Sequence, residues 1–389
     1  MKKVLIIATV GGFLKKFEMG NVRILQELGY EVHYAANMQN QIYRFDPAEL
    51  EAAGIRIHPM EILKSPFAIE KHRQIIRQLT ALIDREQISL IHCHTPVGGY
   101  LGRLAGKQCR EQGVKVIYTS HGFHFYEGAP FLQGLVFRQV EQYLAGMTDV
   151  IITINREDYQ SASRFRLKPG GKVYQIPSVG LDMEMFQPPR KEERDASRKR
   201  LGIAPEQFFL LSVGELNQNK NHKIVLRAMQ ELQRSGEDIS KIVYGICGDG
   251  PGRQALETEI GKLGLEKQAV LYGYCDPVRD YLAGADAVAF PSRREGLGMA
   301  ALEALSMGIP ILAADNRGTR EYMMHGQNGY RYEWLDAAGF AEGIRMLRGQ
   351  PAEEKEKMKA YCRDSVKKFE TSRTESMMRK IYQEICSEQ

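Results

Sequence analysis

No stretch of this 389-residue chain approaches the roughly 18 consecutive apolar residues of a membrane-spanning helix, so no spanning segment is expected. The N-terminus also lacks the long apolar core and cleavage site of a signal peptide. After Met1, Lys2 and Lys3, only Val4 to Val10 are apolar or small before Gly11 and Gly12 break the run. That run reads as a buried strand, and the chain is expected to be cytoplasmic. Its six cysteines (Cys93, Cys109, Cys247, Cys275, Cys362 and Cys386) contain no C-x-x-C pair, and a chain this long needs no disulfide framework. They are expected to be reduced and mostly buried. No G-x-G-x-x-G follows the first strand and no G-x-x-x-x-G-K-[ST] occurs anywhere, which argues against dinucleotide oxidoreductases and P-loop NTPases.

What remains is an ordinary folded composition, 43% hydrophobic and 26% charged, with no room for long disordered segments. The length exceeds the point at which single cores stop growing, so two domains are expected. The net charge of +5 comes from the first half and from the run after Pro189, RKEERDASRKR. A basic first half suits either an anionic membrane surface or a diphosphate-bearing acceptor, or is simply a solvated surface. The run itself does not suit nucleic acid, because acids interrupt the bases and no aromatics are interleaved for stacking.

Apolar runs and amphipathic stretches alternate along the chain. Strands are expected at Val4 to Val10, Glu31 to Ala35, Leu90 to His94, Val116 to Ser120 and Val150 to Ile154, with helices near Val22 to Leu28 and Ile69 to Ile83. The charged run after Pro188 and Pro189 reads as a hinge followed by an exposed helix. Beyond it the alternation restarts, with strands at Phe208 to Val213, Lys241 to Cys247, Val270 to Tyr272, Ala287 to Phe290 and Ile311 to Ala314 and a helix at Val225 to Leu232. The fold class is therefore α/β, as two parallel-sheet domains split near residue 186, whose ligand-binding strand ends should face a shared crevice.

The segment PSRREGLGMAALEALSMGIP (291 to 310) carries the most chemistry. A strand ends at Phe290, a glycine-bearing loop follows, helix formers run from Met299 to Met307, and Gly308 with Pro310 stops the helix. The N–H groups of Gly298, Met299 and Ala300 fall in the first turn without intrahelical acceptors and can receive a phosphate. Gly296 and Gly298 allow close approach of the backbone. Glu303, about one and a half turns further in, can accept hydrogen bonds from vicinal hydroxyls, and Glu295 in the loop can face a sugar ring. The plain alternative is two unrelated acids near a helix. A second loop, after the strand ending at Val213, holds Gly214 and then Lys220, a cation able to neutralise a departing diphosphate.

These residues resemble the family-4 retaining glycosyltransferases of the GT-B architecture. Glu295-x7-Glu303 matches the family's E-x7-E signature, GELNQNK (214 to 220) its strand-end glycine and phosphate-binding lysine, and GDGPGR (248 to 253) its G-D-G-P turn. Gly11 and Gly12, SHGFHF (120 to 125) and GLD (180 to 182) extend the resemblance over nearly the whole chain. The runs HCHTPVGGYLGR (92 to 103) and YTSHGFHFYEGAP (118 to 130) are most similar to bacterial enzymes of capsule and exopolysaccharide assembly.

The resemblance implies two Rossmann-like α/β/α domains facing each other across a cleft. Residues 1–186 would bind the acceptor, with a C-terminal helix of about 372–389 packing back on them, and 187–371 would bind the donor. The donor would be a nucleotide-sugar, a UDP-sugar by family precedent, with a hexosyl or N-acetylhexosaminyl group moved. The acceptor would be a lipid-diphosphate-linked saccharide. Donor contacts would fall on Gly12, Gly214, Lys220, Glu295, Leu297, Gly298, Met299, Ala300 and Glu303. His121, Lys220 and Glu295 would be the catalytic groups, with His121 preferred to His124.

One departure stands out. Many relatives carry an arginine after the strand-end glycine where this chain has Glu215, so either Lys220 and the helix N-terminus must do more, or Arg293 or Arg294 assists. No metal or cofactor is expected: His92 and His94 share one face of a strand end but have no evident third ligand, and the D-x-D signature of the other large glycosyltransferase architecture is absent. Two stretches, 63–79 and 130–144, either lie on a membrane or merely cover the sheet. Other classes left open are a noncatalytic glycosyltransferase-like subunit, an epimerase of the same architecture, and a phosphorylase, which would need a pyridoxal-binding lysine.

Overall fold

Every strand anticipated above is present, and three more flank them. In the computed structural model, which describes residues 2–39, 43–65 and 68–387, the first sheet contains β1 (Lys2–Val10), β2 (Tyr30–Asn37), β3 (Ile55–Pro59), β4 (Leu90–His94), β5 (Lys115–Ser120), β6 (Val150–Thr153) and β7 (Lys172–Gln175). The second contains β8 (Phe208–Val213), β9 (Ile242–Cys247), β10 (Ala269–Gly273), β11 (Ala287–Phe290), β12 (Ile311–Ala314) and β13 (Gly329–Tyr332). All pairings are parallel, in the orders β3-β2-β1-β4-β5-β6-β7 and β10-β9-β8-β11-β12-β13.

Both sheets follow the doubly wound 3-2-1-4-5-6 order, the first extended by a seventh strand. Strand order reverses between β1 and β4 in one unit and between β8 and β11 in the other. At such a switch point the helices on either side diverge, and the crevice beyond the strand ends is the place for a ligand. The central strands β4, β6, β9, β11 and β12 are buried along their whole length, as expected when helices cover both faces of a parallel sheet.

The chain divides into two units, one running to Gly180 and resuming at Thr371, the other Leu181–Glu370, so the break falls slightly before the expected hinge at 186. The returning helix Thr371–Ser387 packs on the helix Met19–Glu27 of the first unit, where Arg23 pairs with Glu375 at 2.7 Å. Four cysteines are buried, Cys275 and Cys386 are half-buried, and all six are free thiols.

One helix differs from expectation, and the two amphipathic stretches part ways. Lys191–Leu201, read as exposed, buries Arg198, whose guanidinium donates to the carbonyls of Gly284, Ala204 and Gln207 and to Asp286. The guanidinium ties the helix to β8 and the turn before β11, a contact invisible in a charge run. Of the two amphipathic stretches, Ile69–Glu86 does cover the sheet, burying Ile75, Leu79, Leu82 and Ile83. Phe131–Ala145 does not: only Leu144 and Ala145 are buried, while Phe131 is 81% and Leu132 75% exposed. No helix among the described residues is long and apolar enough to cross a membrane.

Candidate active site

In the second unit, the switch point brings the loop after β8 against the loop after β11. The β11 loop ends at Gly298, which adopts φ +99° and caps the helix Met299–Ser306. A β-carbon there would lie 2.5 Å from the Phe290 ring, so glycine is required on both conformational and steric grounds. Neighbours hold the loop by its carbonyls: Tyr322 Oη donates to Leu297 O at 3.0 Å, Arg317 Nε to Glu295 O at 3.2 Å, and Asn316 Nδ2 to Ser292 O at 2.8 Å. The helix then opens with N–H groups that have no partners within it.

The β8 loop is joined to it by backbone and side chain. Asn219 O accepts from Arg293 N at 2.8 Å, and Asn219 Nδ2 donates to Arg294 O at 2.9 Å. Asn217 Oδ1 accepts from Lys220 N at 3.0 Å, which turns the lysine back toward the strand end. Its stem then runs beside Gly214, where a β-carbon would meet Lys220 Cε at 3.2 Å. Lys220 Nζ donates to Glu295 Oε1 at 2.6 Å and stands 5.5 Å from the Phe290 ring centroid. Lys220 and Gly298 thus both lie against one aromatic ring, Phe290, and Lys220 holds Glu295 beside it. Glu303 lies in the helix behind them, 9% exposed.

Glu215, at the departure from the family pattern, turns into its own loop, where its carboxylate accepts from Asn217 Nδ2 at 3.0 Å. Leu216 pairs with the GDGPGR turn through Asp249 O at 3.0 Å and Gly252 N at 2.7 Å. Arg293, one of the expected substitutes for the missing cation, stacks its guanidinium 4.4 Å above the ring of Trp334.

In the first unit, His92 and His94 end β4, and His121 follows β5. His92 is spoken for: Nδ1 pairs with Tyr382 Oη and Nε2 with Thr119 Oγ1, each at 2.8 Å. Burial drives its pKa down to about 3, so it stays neutral. His94 Nδ1 lies 3.2 Å from His121 Nε2 and 3.3 Å from Glu18 Oε1. The space beside Gly11 and Gly12 is filled by the chain itself. A β-carbon on Gly11 would lie 2.7 Å from the Phe45 ring, and one on Gly12 2.2 Å from Tyr43 O. Their small size is used for that internal packing.

Comparison with known proteins agrees with this geometry. Residues 3–155 match the family described as glycosyl transferase 4-like and residues 193–365 that described as glycosyl transferases group 1. Over 381 residues, 98% of this chain and 96% of the relative, the chain is 36% identical to the putative glycosyltransferase EpsD of Bacillus subtilis (strain 168). The chain belongs to the family-4 glycosyltransferases of the GT-B architecture. It is also 28% identical, over 72% of its length and 71% of the relative's, to an Escherichia coli UDP-Gal:alpha-D-GlcNAc-diphosphoundecaprenol alpha-1,3-galactosyltransferase. Among solved structures it shares the fold of Anabaena HepE in complex with UDP and glucose (TM-score 0.76, 17% identity, both chains covered in full). The same holds for the sucrose-phosphate synthase of Thermosynechococcus elongatus (TM-score 0.81, 17% identity, both chains covered in full).

Transferases of this architecture work without a metal. Glu18, His94 and His121 are nonetheless the one group among the described residues whose three potential ligand atoms lie within 4.8 Å of one another. Metal-bound histidines normally donate their far nitrogen to a partner, and His94 Nε2 is buried with none. The sequence reading of this glycosyltransferase singled out Lys220, Glu295 and the helix start, which lie on loops that the structure packs together, because each stands near a glycine beyond a strand end. It missed Glu18, Phe290 and Asn219. Phe290 reads simply as the last residue of an apolar strand, and Glu18 as one acid in a short polar turn.

Proposed function

We propose that the enzyme moves a sugar, with retention, from a UDP-sugar to a hydroxyl of a lipid-diphosphate-linked saccharide in cell-surface polysaccharide assembly. The observation that carries this reading is that Lys220 and Gly298, the cap of the helix Met299–Ser306, meet at Phe290, with Glu295 paired to the lysine. One cation and a row of free N–H groups suit the two phosphates of a nucleoside diphosphate, and the adjoining acids suit the hydroxyls on either side. Glu303 would accept from the ribose and Glu295 from the transferred sugar. The relatives support the substrates by analogy: HepE was solved with UDP and glucose, and the E. coli relative is named for a UDP-galactose donor and a diphosphoundecaprenol-linked acceptor.

The reaction follows from where the charges sit. The bond between the anomeric carbon and the diphosphate oxygen breaks, leaving negative charge on the phosphate that Lys220 and the helix N-terminus stabilise. The acceptor oxygen bonds to the anomeric carbon on the same face, and its proton passes to the departing phosphate oxygen. No protein nucleophile is needed. His121, in the first unit, would hydrogen-bond the sugar.

The helix Phe131–Ala145 supports a peripheral position at the inner face of the membrane. It exposes Phe131, Leu132, Leu135, Val136 and Tyr143 on the unit that also carries the basic excess. A thermal-shift series over nucleoside diphosphates and their sugars tests the donor: UDP and one UDP-sugar should raise the melting temperature most, in proportion to affinity. Equal shifts with every nucleotide would refute the uridine assignment. No shift with any, together with no transfer, would refute the reading as a whole.

A further inference from the structure

The first unit buries an acid between two histidines, and nothing in the transfer reaction described above uses it. Glu18 caps the helix Met19–Glu27, His94 ends β4, and His121 follows β5. Glu18 Oε1 lies 3.3 Å from His94 Nδ1 and 3.8 Å from His121 Nε2, and those two nitrogens are 3.2 Å apart. Hydrogen bonds cannot close this triangle. A ring nitrogen carries either one hydrogen or one lone pair, so His94 Nδ1 serves Glu18 or His121 but not both. Among the described residues no lysine or arginine pairs with Glu18, whereas buried charges are normally paired or bound to a metal.

A single cation satisfies all three atoms at once, and their spacing selects its kind. A four-coordinate ion with bonds of about 2.05 Å holds its ligand atoms about 3.3 Å apart, whereas an octahedral ion with the same bonds brings neighbours to about 2.9 Å. Separations of 3.2, 3.3 and 3.8 Å fit the first and are too wide for the second. Two imidazoles with one carboxylate also suit zinc rather than magnesium, which prefers oxygen ligands. The surroundings support the ligand set. Glu18 Oε2 accepts from Asn21 Nδ2 at 2.6 Å, which leaves Oε1 to bind, and the Phe13 ring lies 5.5 Å from His94 and 5.1 Å from His121 as an apolar wall. The His121 side chain is 21% exposed against 1% for His94 and 2% for Glu18, so an incoming ion and a water as fourth ligand have access on the His121 side. His92 is no ligand, because Tyr382 and Thr119 take both its nitrogens. Affinity is limited by His94 Nε2, which is buried without the partner that a metal-bound histidine normally has. Such a lack typically weakens binding by about tenfold to a hundredfold, which makes the site reversible.

We propose that Glu18, His94 and His121 form a reversible zinc site whose occupation switches sugar transfer off. The ion takes the Nε2 lone pair of His121 and fixes its ring, so the imidazole is no longer free to hydrogen-bond the sugar. The metal-free protein is the active form, in keeping with an architecture that works without a metal. The switch rests on the role proposed above for His121, and the zinc site itself does not.

The test uses the full-length protein, stripped with a chelator and then titrated with Zn²⁺, Co²⁺ or Mg²⁺ alone. Calorimetry should find one Zn²⁺ per chain and no binding of Mg²⁺ at the same concentrations. Co²⁺ should give the intense visible bands of a four-coordinate ion, without the charge-transfer band that binding by any of the six free thiols would add. Glu18→Gln and His121→Ala, shown to be folded by circular dichroism, should each weaken Zn²⁺ binding at least about tenfold. In turnover assays Zn²⁺ should lower the wild-type kcat by about tenfold or more, half-inhibit at its own dissociation constant, and be reversed by the chelator. Equal Zn²⁺ affinity in the wild type and both variants would overturn the site. So would a six-coordinate or thiolate cobalt spectrum of the wild type, which decides the matter even if a variant fails to fold. Full activity of the zinc-loaded enzyme would overturn the switch. If zinc binds as expected but the metal-free protein turns over no nucleotide-sugar, the proposed transfer reaction fails and the switch with it, while the zinc site stands.

Discussion

Lys220 Nζ and Glu295 Oε1, from loops that follow two different strands, are 2.6 Å apart. The ion pair ties the lysine to the loop that leads into the helix Met299–Ser306. If Lys220 neutralises the leaving diphosphate, Lys220→Ala should lower kcat by about a hundredfold to a thousandfold, the usual effect of removing one preorganised donor. Circular dichroism and the melting temperature should stay near wild type, because backbone bonds through Asn219 still join the loops. Turnover close to normal would remove Lys220 from the mechanism.

Glu295→Gln separates the two partners in another way. The amide retains a hydrogen bond to Lys220 but no longer cancels its charge, so UDP affinity by calorimetry should hold or rise while kcat falls. A loss of UDP affinity would mean that Glu295 serves mainly to place the lysine.

Gly298 offers a steric test of the phosphate cradle. With φ +99° and the Phe290 ring 2.5 Å from any added β-carbon, Gly298→Ala should cost about 1–3 kcal/mol of stability and weaken UDP binding. Gly308→Ala is the control. There φ is +75° but the nearest atom, Lys359 Cβ, lies 3.5 Å away, so it should show only the conformational part and leave UDP binding unchanged. Equal effects on binding would disconnect Gly298 from the diphosphate.

The strands and the β11 loop were legible because they obey one-dimensional rules. A fully buried parallel strand is a continuous apolar run, and a glycine marks its end. The three missed strands, β3, β7 and β13, are edge strands that alternate or mix burial, as in IRIHP, KVYQ and GYRY, and so lack that run. The ion pair of Lys220 with Glu295 spans 75 positions, and the cluster of Glu18 with His94 and His121 draws on a helix cap, a strand end and a loop of the first unit. Neither has a spacing to read. Gly11 and Gly12 show how little a glycine specifies by itself, because close approach to the chain's own Tyr43 and Phe45 leaves the same sequence mark as close approach to a ligand.

Two buried groups should bend stability with pH in opposite senses. Glu18 is raised from 4.5 to about 8, so the folded state binds a proton that the unfolded chain has released between those values. Its contribution is complete below about 4.5 and is lost as the pH climbs toward 8. His92 is lowered from 6.5 to about 3, and its contribution is complete above 6.5 and lost as the pH falls toward 3. Relative to wild type, Glu18→Gln should therefore gain stability between pH 6 and 8. His92→Gln should gain it between pH 6.5 and 5. Parallel melting curves across both windows would show that neither group titrates as its burial requires.

The helix Phe131–Ala145 presents its apolar side chains to solvent, and such a face needs either a membrane or another protein to cover it. If the cover is a bilayer, the full-length protein should float with vesicles containing phosphatidylglycerol. Joint replacement of Phe131, Leu132 and Val136 by serine should leave it at the bottom of the gradient. These three are highly exposed, so their loss should shift the melting temperature little. Transfer to a water-soluble acceptor should be unaffected, while transfer to an acceptor embedded in vesicles falls, because only the second reaction requires the enzyme at the surface. Unchanged flotation, or equal loss on both acceptors, would take this helix out of the membrane contact.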